Sequence, residues 1–220
     1  MYSFTITRSQ LKALSLLCAD KKDLRVYLQG IYFAPGLTTV KAVSTNGHAL
    51  LALELGQFEG EAGEGFIMPP ELVARYAKYT KREAWDSIII EYNPATGLIQ
   101  CTHLGQITTQ PAIDFQYPDW NRVVRGALSP SNESAAFNRK YIEAMHEAAE
   151  LATLGNAIIH TGGNNAALVQ FTNPLAVGII MPLRVEIPQP NQVLEGFLYN
   201  RADQLAREAE LVKAGEALAA

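Results

Sequence analysis

A chain of 220 residues, 48% hydrophobic and 18% charged, is long enough to bury a sizeable core, and its net charge of −4 argues against a protein that coats itself in nucleic acid. No apolar run reaches the roughly 18 residues of a membrane span, and MYSFTITRSQ lacks the basic-then-apolar pattern of a signal peptide, so a cytoplasmic protein with no membrane partner is expected. Two cysteines, Cys18 and Cys101, are too few for a cysteine-rich zinc module and are expected as buried free thiols.

In chain order, one unit recurs three times: a short strand, a helix, then three strands. Unit one opens with SFTIT (3–7), alternating like a half-buried strand. The helix RSQLKALSLLCA follows with Leu11, Leu14 and Cys18 on one stripe, and then the strand-like runs RVYLQGIYF, TTVKAVST and HALLALEL. Pro35-Gly36 and Asn46-Gly47 mark the turns between those runs.

Unit two opens with GFIM (65–68). Pro69-Pro70 then starts a helix with Leu72, Val73, Tyr76 and Tyr79 on one side, and SIIIEY, GLIQCT and QITTQPA follow as strands. The segment DWNRVVRGALSPSNES ends in a stretch rich in Ser, Pro, Gly and Asn, which reads as a linker. Unit three opens at residues 135–137 and continues with a helix capped by Asn138, then NAIIHT, AALVQF and AVGIIMPLR. The tail carries Leu198, Ala202, Leu205, Ala209 and Val212 on one stripe of an amphipathic helix.

This pattern predicts an α+β fold of curved antiparallel sheets with their helices on one face. Residues 1–126 form a complete domain of two units, 127–185 a linker plus half a domain, and 186–220 a tail. Residues 1–126 balance 12 basic against 12 acidic side chains, whereas 127–220 hold 6 and 10, so the acidity lies in the second part.

Catalytic chemistry finds little support. His48, His103, His146 and His160 lie in separate elements, and none pairs with Cys, Asp or Glu at metal-ligand spacing. The HTGGNN stretch has no Lys and no following helix, so it reads as a hairpin turn rather than a phosphate loop. Asp114 and Asp119 bracket FQYP and read as turn formers, and no Ser or Cys sits in a nucleophile elbow. A protein that is not an enzyme, without metal or cofactor, is expected.

Two binding surfaces remain. Helices one and two with their exits carry Arg8, Lys12, Lys21, Lys22, Arg25, Arg75, Lys78, Lys81 and Arg82; on one face they would make a positive strip for phosphates, and on separate faces merely solvated helices. The semi-apolar segments YLQG, STNGHALL, YPDWNRVV and IIMPLR fit either plain core and turns or a shallow groove for a peptide's apolar side chains.

At these four segments the sequence resembles the bacterial DNA polymerase III beta subunit, the sliding clamp. RVYLQG (25–30) and STNGHAL (44–50) match that family's R-x-Y-L-x-G and A-T-D-G-H-R-L, YPDWNRV (117–123) its F-P-D-Y-x-R-V, and IMPLRV (180–185) its V-M-P-M-R-L. The resemblance covers roughly residues 3–126 and 134–185 and corresponds to a middle domain plus the last half of a final domain. Asn46 and Ala49 stand where the family has aspartate and arginine.

The resemblance implies a processivity factor that encircles or tracks double-stranded DNA without sequence preference, as a homo-oligomer. It assigns a peptide-binding groove to Leu28, Thr45, Gly47, His48, Leu50, Pro118, Arg122, Val123, Ile179, Met181, Pro182, Leu183 and Arg184. That groove would take DNA polymerase or other proteins carrying clamp-binding motifs. DNA would face Arg8, Lys12, Arg75, Lys78, Lys81 and Arg82. The alternative is a clamp-like adaptor or decoy that binds the same motifs without encircling DNA.

Overall fold

The computed structural model describes residues 1–61, 63–129, 133–186, 206, 209 and 210. Residues Met1–Arg184 form one compact unit and Val185–Ala220 a second, of which only five residues are described. The predicted amphipathic tail helix lies almost wholly outside the described residues.

Strand β1 (Tyr2–Thr7) runs directly into helix α1 (Arg8–Ser15). A capping box makes that switch: the Gln10 N–H donates to the Thr7 hydroxyl at 3.2 Å, and the Thr7 N–H donates back to the Gln10 side chain at 2.9 Å. The first unit continues with β2 (Ile31–Pro35), β3 (Thr39–Thr45), β4 (Ala49–Gln57) and the short β5 (Glu59–Gly60). The second unit comprises β6 (Phe66–Met68), α2 (Pro70–Ala77), β7 (Ser87–Asn93), β8 (Leu98–His103) and β9 (Gln106–Pro111). Then come α3 (Trp120–Gly126), α4 (Arg139–Leu151), β10 (Ala157–Gly162), β11 (Asn165–Phe171) and β12 (Ala176–Ile180). Asn138 caps α4 through its side chain, which accepts from the Lys140 N–H.

The strands form two antiparallel sheets, ordered β5-β1-β7-β8-β9 and β10-β11-β12-β4-β3-β2-β6. The first strands of units one and two are exchanged: β1 pairs with β7, and β6 pairs with β2. Phe4 and Phe66, which open those units, therefore face each other across the domain in a cluster with Phe33, Tyr2 and Tyr92. Ring centroids lie 5.1 Å apart for Phe4–Phe33 and 4.3 Å for Phe66–Tyr92. Burying each such ring is worth about 1.5–3 kcal/mol, so this cluster is a principal bond between the two units.

Unit three joins differently. Its last strand, β12, pairs with β4 from Ala176↔Leu53 to Ile180↔Ala49, and α4 packs against α1. Its opening segment makes a single bridge, Ala136↔Leu183, within its own unit. The strands of residues 157–180 thus extend the sheet of unit one inside the same compact body.

Alternation along β4 separates two cores. Ala49, Leu51, Leu53 and Leu55 face the layer of α1, α2 and α4; Leu50 and Ala52 face the opposite side with Tyr117, Trp120 and Ala127. Three helices share one face, as the repeat predicts. The fourth, α3, covers the other face of the seven-stranded sheet, started by the Asp119 carboxylate accepting the Arg122 N–H at 3.1 Å.

Four element boundaries differ from the sequence reading. RVYLQG is not strand: Asp23 accepts the Arg25 N–H, the Leu28 N–H bonds back to the Arg25 carbonyl, and Val26–Leu28 winds as a 3-10 turn that buries Leu28. Helix α1 ends at Ser15, before Cys18, and α2 ends at Ala77, before Tyr79. The strand begun at Ala176 ends at Ile180, where the chain turns towards its bridge with Ala136.

Candidate functional site

Between the 3-10 turn, the β3-β4 turn, α3 and the end of β12 lies an open, mainly apolar groove of about 460 Å³. Leu50 and Ile179 face each other across the β4–β12 ladder, so its floor crosses the join between units one and three. Asn46-Gly47-His48 shapes one rim. The Asn46 carboxamide accepts the N–H groups of His48 and Ala49 at 2.9 and 3.0 Å, and the buried Thr45 hydroxyl donates to the Ala49 carbonyl at 2.7 Å. Gly47 holds φ +88°, a left-handed backbone that calls for glycine, and a Cβ there would displace only the tip of the Arg25 side chain.

His48 is exposed and lies in ring contact with Tyr141 of α4, centroids 5.9 Å apart and planes 15° from parallel. Its carbonyl accepts the Met181 N–H at 2.8 Å. The histidine is thus a tie between the turn, helix α4 and the chain leaving β12. Among the described residues no group of three His, Cys, Asp or Glu side chains could hold a metal ion.

The opposite wall hangs on α3 and the segment before it. Tyr117 is buried, stacks on Tyr32 with centroids 4.7 Å apart, and donates to the Val43 carbonyl at 3.4 Å. Burial pushes its phenol well above the ordinary tyrosine value. This anchor sets Pro118, Trp120, Arg122 and Val123 along the groove. Charge enters only at the rim, from Arg122 and from Arg25, whose guanidinium is held by Asp23 at 2.7 Å. That bond draws the Asp23 carboxyl down to about 2.

Of the residues expected in the groove, Leu28, Thr45, Gly47, His48, Leu50, Pro118, Arg122, Val123, Ile179 and Met181 line it. Pro182, Leu183 and Arg184 do not; past Met181 the chain turns away so that the Leu183 N–H can reach the Ala136 carbonyl at 2.7 Å. Arg25, Tyr27, Ala49, Trp120, Gly126, Asn165 and Ala166 also line it. Asn165 and Ala166 come from the β10-β11 hairpin, whose sequence signals only a turn.

On the helical side, α1 packs against α2, and Lys12, Lys21 and Lys78 border one cavity of about 530 Å³ between them. Arg75, Lys81 and Arg82 are exposed. Arg8 is a correction. It is only 8% exposed, donates to the carbonyls of Tyr76 and Lys78 at the end of α2, pairs with Glu83 at 3.4 Å and lies over the Tyr79 ring. A cation is favoured at a helix C-terminus, and this one ends α2 and binds it to the start of α1. The outward side of α4 carries exposed Glu143, Glu147 and Glu150, so the helical layer is not uniformly basic.

Comparison with known proteins identifies the fold. No family model matches the chain. Over 108 residues, 47% of the chain, it is 29% identical to the beta sliding clamp of Caulobacter vibrioides, of which that stretch is 28%. The DNA polymerase sliding clamp of Pseudomonas aeruginosa, solved with a ligand, superposes with a TM-score of 0.63 at 20% identity, over 83% of this chain and 66% of that one. The fold is that of a sliding clamp.

The DNA polymerase III beta subunit of Thermotoga maritima gives a TM-score of 0.63 at 13% identity, and the sliding clamp of Bartonella birtlesii bound to griselimycin 0.61 at 17%. The chain therefore carries a shortened sliding-clamp fold, spanning about two thirds of the solved clamps it matches and 28% of the curated relative. Among the described residues, no helix is long and apolar enough to cross a membrane.

Proposed function

We propose that this protein is a sliding-clamp-like processivity factor of DNA replication, cytoplasmic and without catalytic activity. Its groove receives a short peptide motif from DNA polymerase or other replication proteins, and its helical layer follows double-stranded DNA as part of a homo-oligomer. One observation carries the reading: ten groove residues expected from four sequence motifs converge on a single apolar cleft although they are up to 153 positions apart. An apolar cleft rimmed by a few polar groups suits peptide side chains far better than a chemical reaction.

The test is titration of the full-length protein with a fluorescent peptide carrying a Gln- and Leu/Phe-containing clamp-binding motif. Saturable binding that Val123→Asp abolishes, with the circular dichroism spectrum unchanged, is the expected result. Griselimycin, which the Bartonella birtlesii clamp binds, should displace the peptide. No saturable binding overturns the groove reading.

A non-encircling adaptor is the second reading, favoured by the acidic side chains of α4 and the odd number of units. Retention on nicked circular DNA with release on linearisation separates the two. An encircling ring passes that test, whereas an adaptor leaves both templates alike. Arg75→Glu with Lys78→Glu should weaken DNA association only in the encircling case, and weakening should grow with salt.

A further inference from the structure

Tyr27 belongs to two surfaces. It lines the groove, half-buried against the same core as Leu28 and Leu50, and its ring meets that of Phe115, centroids 5.8 Å apart and planes 30° from parallel. Phe115 is not among the groove's lining residues and is 60% exposed. Val26, beside Tyr27 on the 3-10 turn, and Leu24 just before it are exposed as well.

The chain on either side holds Phe115 in this position. Two residues before it, the Ile113 N–H donates to the Ile67 carbonyl at 3.0 Å and ties the segment to β6. Two residues after it, Tyr117 is buried and stacked on Tyr32. The Phe115 N–H itself closes onto the Ile113 carbonyl at 3.0 Å. With both flanks pinned to the sheet, the ring between them rests on Tyr27 and leaves most of its surface to solvent. A single exposed apolar side chain is ordinary. An exposed aromatic pair continuous with an apolar cleft has the make-up of an interface core.

We propose that Tyr27 and Phe115 form a shelf that extends the groove and takes one further aromatic side chain of the partner peptide, from just outside the motif that fills the groove. This rests on the groove reading and names what else the partner carries. Continuity selects the occupant. A peptide seated against Tyr27 has only to run on by a residue or two, at about 3.3 Å per residue, to reach a ring 5.8 Å from that of Tyr27. Charge agrees with it: Asp23 holds the Arg25 guanidinium at 2.7 Å, so the charges of the turn cancel and the shelf offers chiefly ring surface, which suits an offset-stacked aromatic. Asp114, exposed beside Phe115, makes a basic flank the competing occupant. Such a shelf lets the chain separate partners with similar motifs by the residues that flank them.

The experiment titrates the full-length protein with the fluorescent Gln- and Leu/Phe-containing motif, bare or lengthened at either end by a Gly spacer and then Trp, Lys or Ser. Trp at one end should tighten the Kd about three- to tenfold over Ser. Phe115→Ser should remove that gain and leave the Kd of the bare motif unchanged; the side chain is exposed, so the substitution spares the core. No gain at either end, a gain equalled by Lys, or a gain that survives Phe115→Ser overturns the shelf, while binding of the bare motif leaves the groove reading standing. A bare motif that does not bind overturns the groove reading and the shelf with it. If Phe115→Ser fails to fold, nuclear Overhauser contacts between the Trp flank and the Phe115 ring of the wild type decide alone, and their absence overturns the shelf.

Discussion

Units one and two complete each other, whereas unit three leans on unit one. β1 and β6 cross between the first two units and bring their phenylalanines into one aromatic cluster. Unit three contributes no exchanged strand. Its contacts with the first unit include the β4–β12 ladder with the backbone bonds that flank it, the packing of α4 on α1 and the His48–Tyr141 pair. The same local pattern therefore yields an interlocked pair in one place and a single seam in the other. What separates them is the presence of a partner unit to trade a strand with.

The largest effect expected on this contrast is from Phe66→Ala, which hollows the exchanged cluster at a residue 3% exposed. A loss of about 3–5 kcal/mol is expected in urea unfolding, with the whole of residues 1–111 losing protection together. A loss confined to unit two would break the claim that the units interlock. Arg8→Ala comes next, at about 2–3 kcal/mol, because it leaves the carbonyls of Tyr76 and Lys78 and the Glu83 carboxylate without their donor. Arg8→Lys should restore only part of it, since an ammonium cannot reproduce the guanidinium fork.

At the seam, Gly178→Ala places a methyl 2.9 Å from the Met145 sulfur and 3.0 Å from Val169. A cost of about 1–3 kcal/mol is expected, with amide exchange quickening first in β10–β12 rather than in β1 or β7. Uniform quickening would mean that the seam is as strong as the interlock. A double-mutant cycle of His48→Ala with Tyr141→Ala should give a coupling of about 0.5–1.5 kcal/mol in urea unfolding, the ring-pair increment beyond the area each side chain buries.

A separate effect, spanning both regions, is alkaline. Burial pushes the Cys101 thiol up to about 12. Folded protein keeps that proton where unfolded chain, with an ordinary thiol near 8.5, has lost it, so stability falls as pH rises from about 9 towards 12. Urea midpoints at pH 8 and above should show the fall, and Cys101→Ala should make it shallower without abolishing it, because burial pushes the Cys18 thiol up to about 12 as well.

Much of this is legible in the sequence. Alternating runs, the Asn46-Gly47 turn and the threefold recurrence of the unit give the strands and their order, because short-range pattern encodes short-range structure. Ten groove residues follow from four motifs. Strand exchange is not legible, since a strand's own residues do not record which neighbour it pairs with. Arg8 reads as one more surface cation, because its two carbonyl partners lie 68 and 70 positions away. Helix α3 hides in a segment whose Ser/Pro-rich end suggests a linker, although Asp119 supplies its cap. Pro182, Leu183 and Arg184 follow Met181 in one motif but not in space, because the Ala136 bridge bends the chain.

The bond from the Met181 N–H to the His48 carbonyl has a mechanical consequence. It continues the β4–β12 ladder beyond Ala49↔Ile180, so the floor of the cleft and one of its rims hang on a single rigid truss. Such a cleft has no hinge between these walls and cannot open or shut by domain rotation. Its shape is fixed when the chain folds, and whatever docks there meets a preformed surface with little ordering left to do. The converse holds as well: residues 1–126 expressed alone would have α3 and the Asn46-Gly47 turn but only half a floor. Occupancy of the cleft would therefore report that the seam between units one and three is closed.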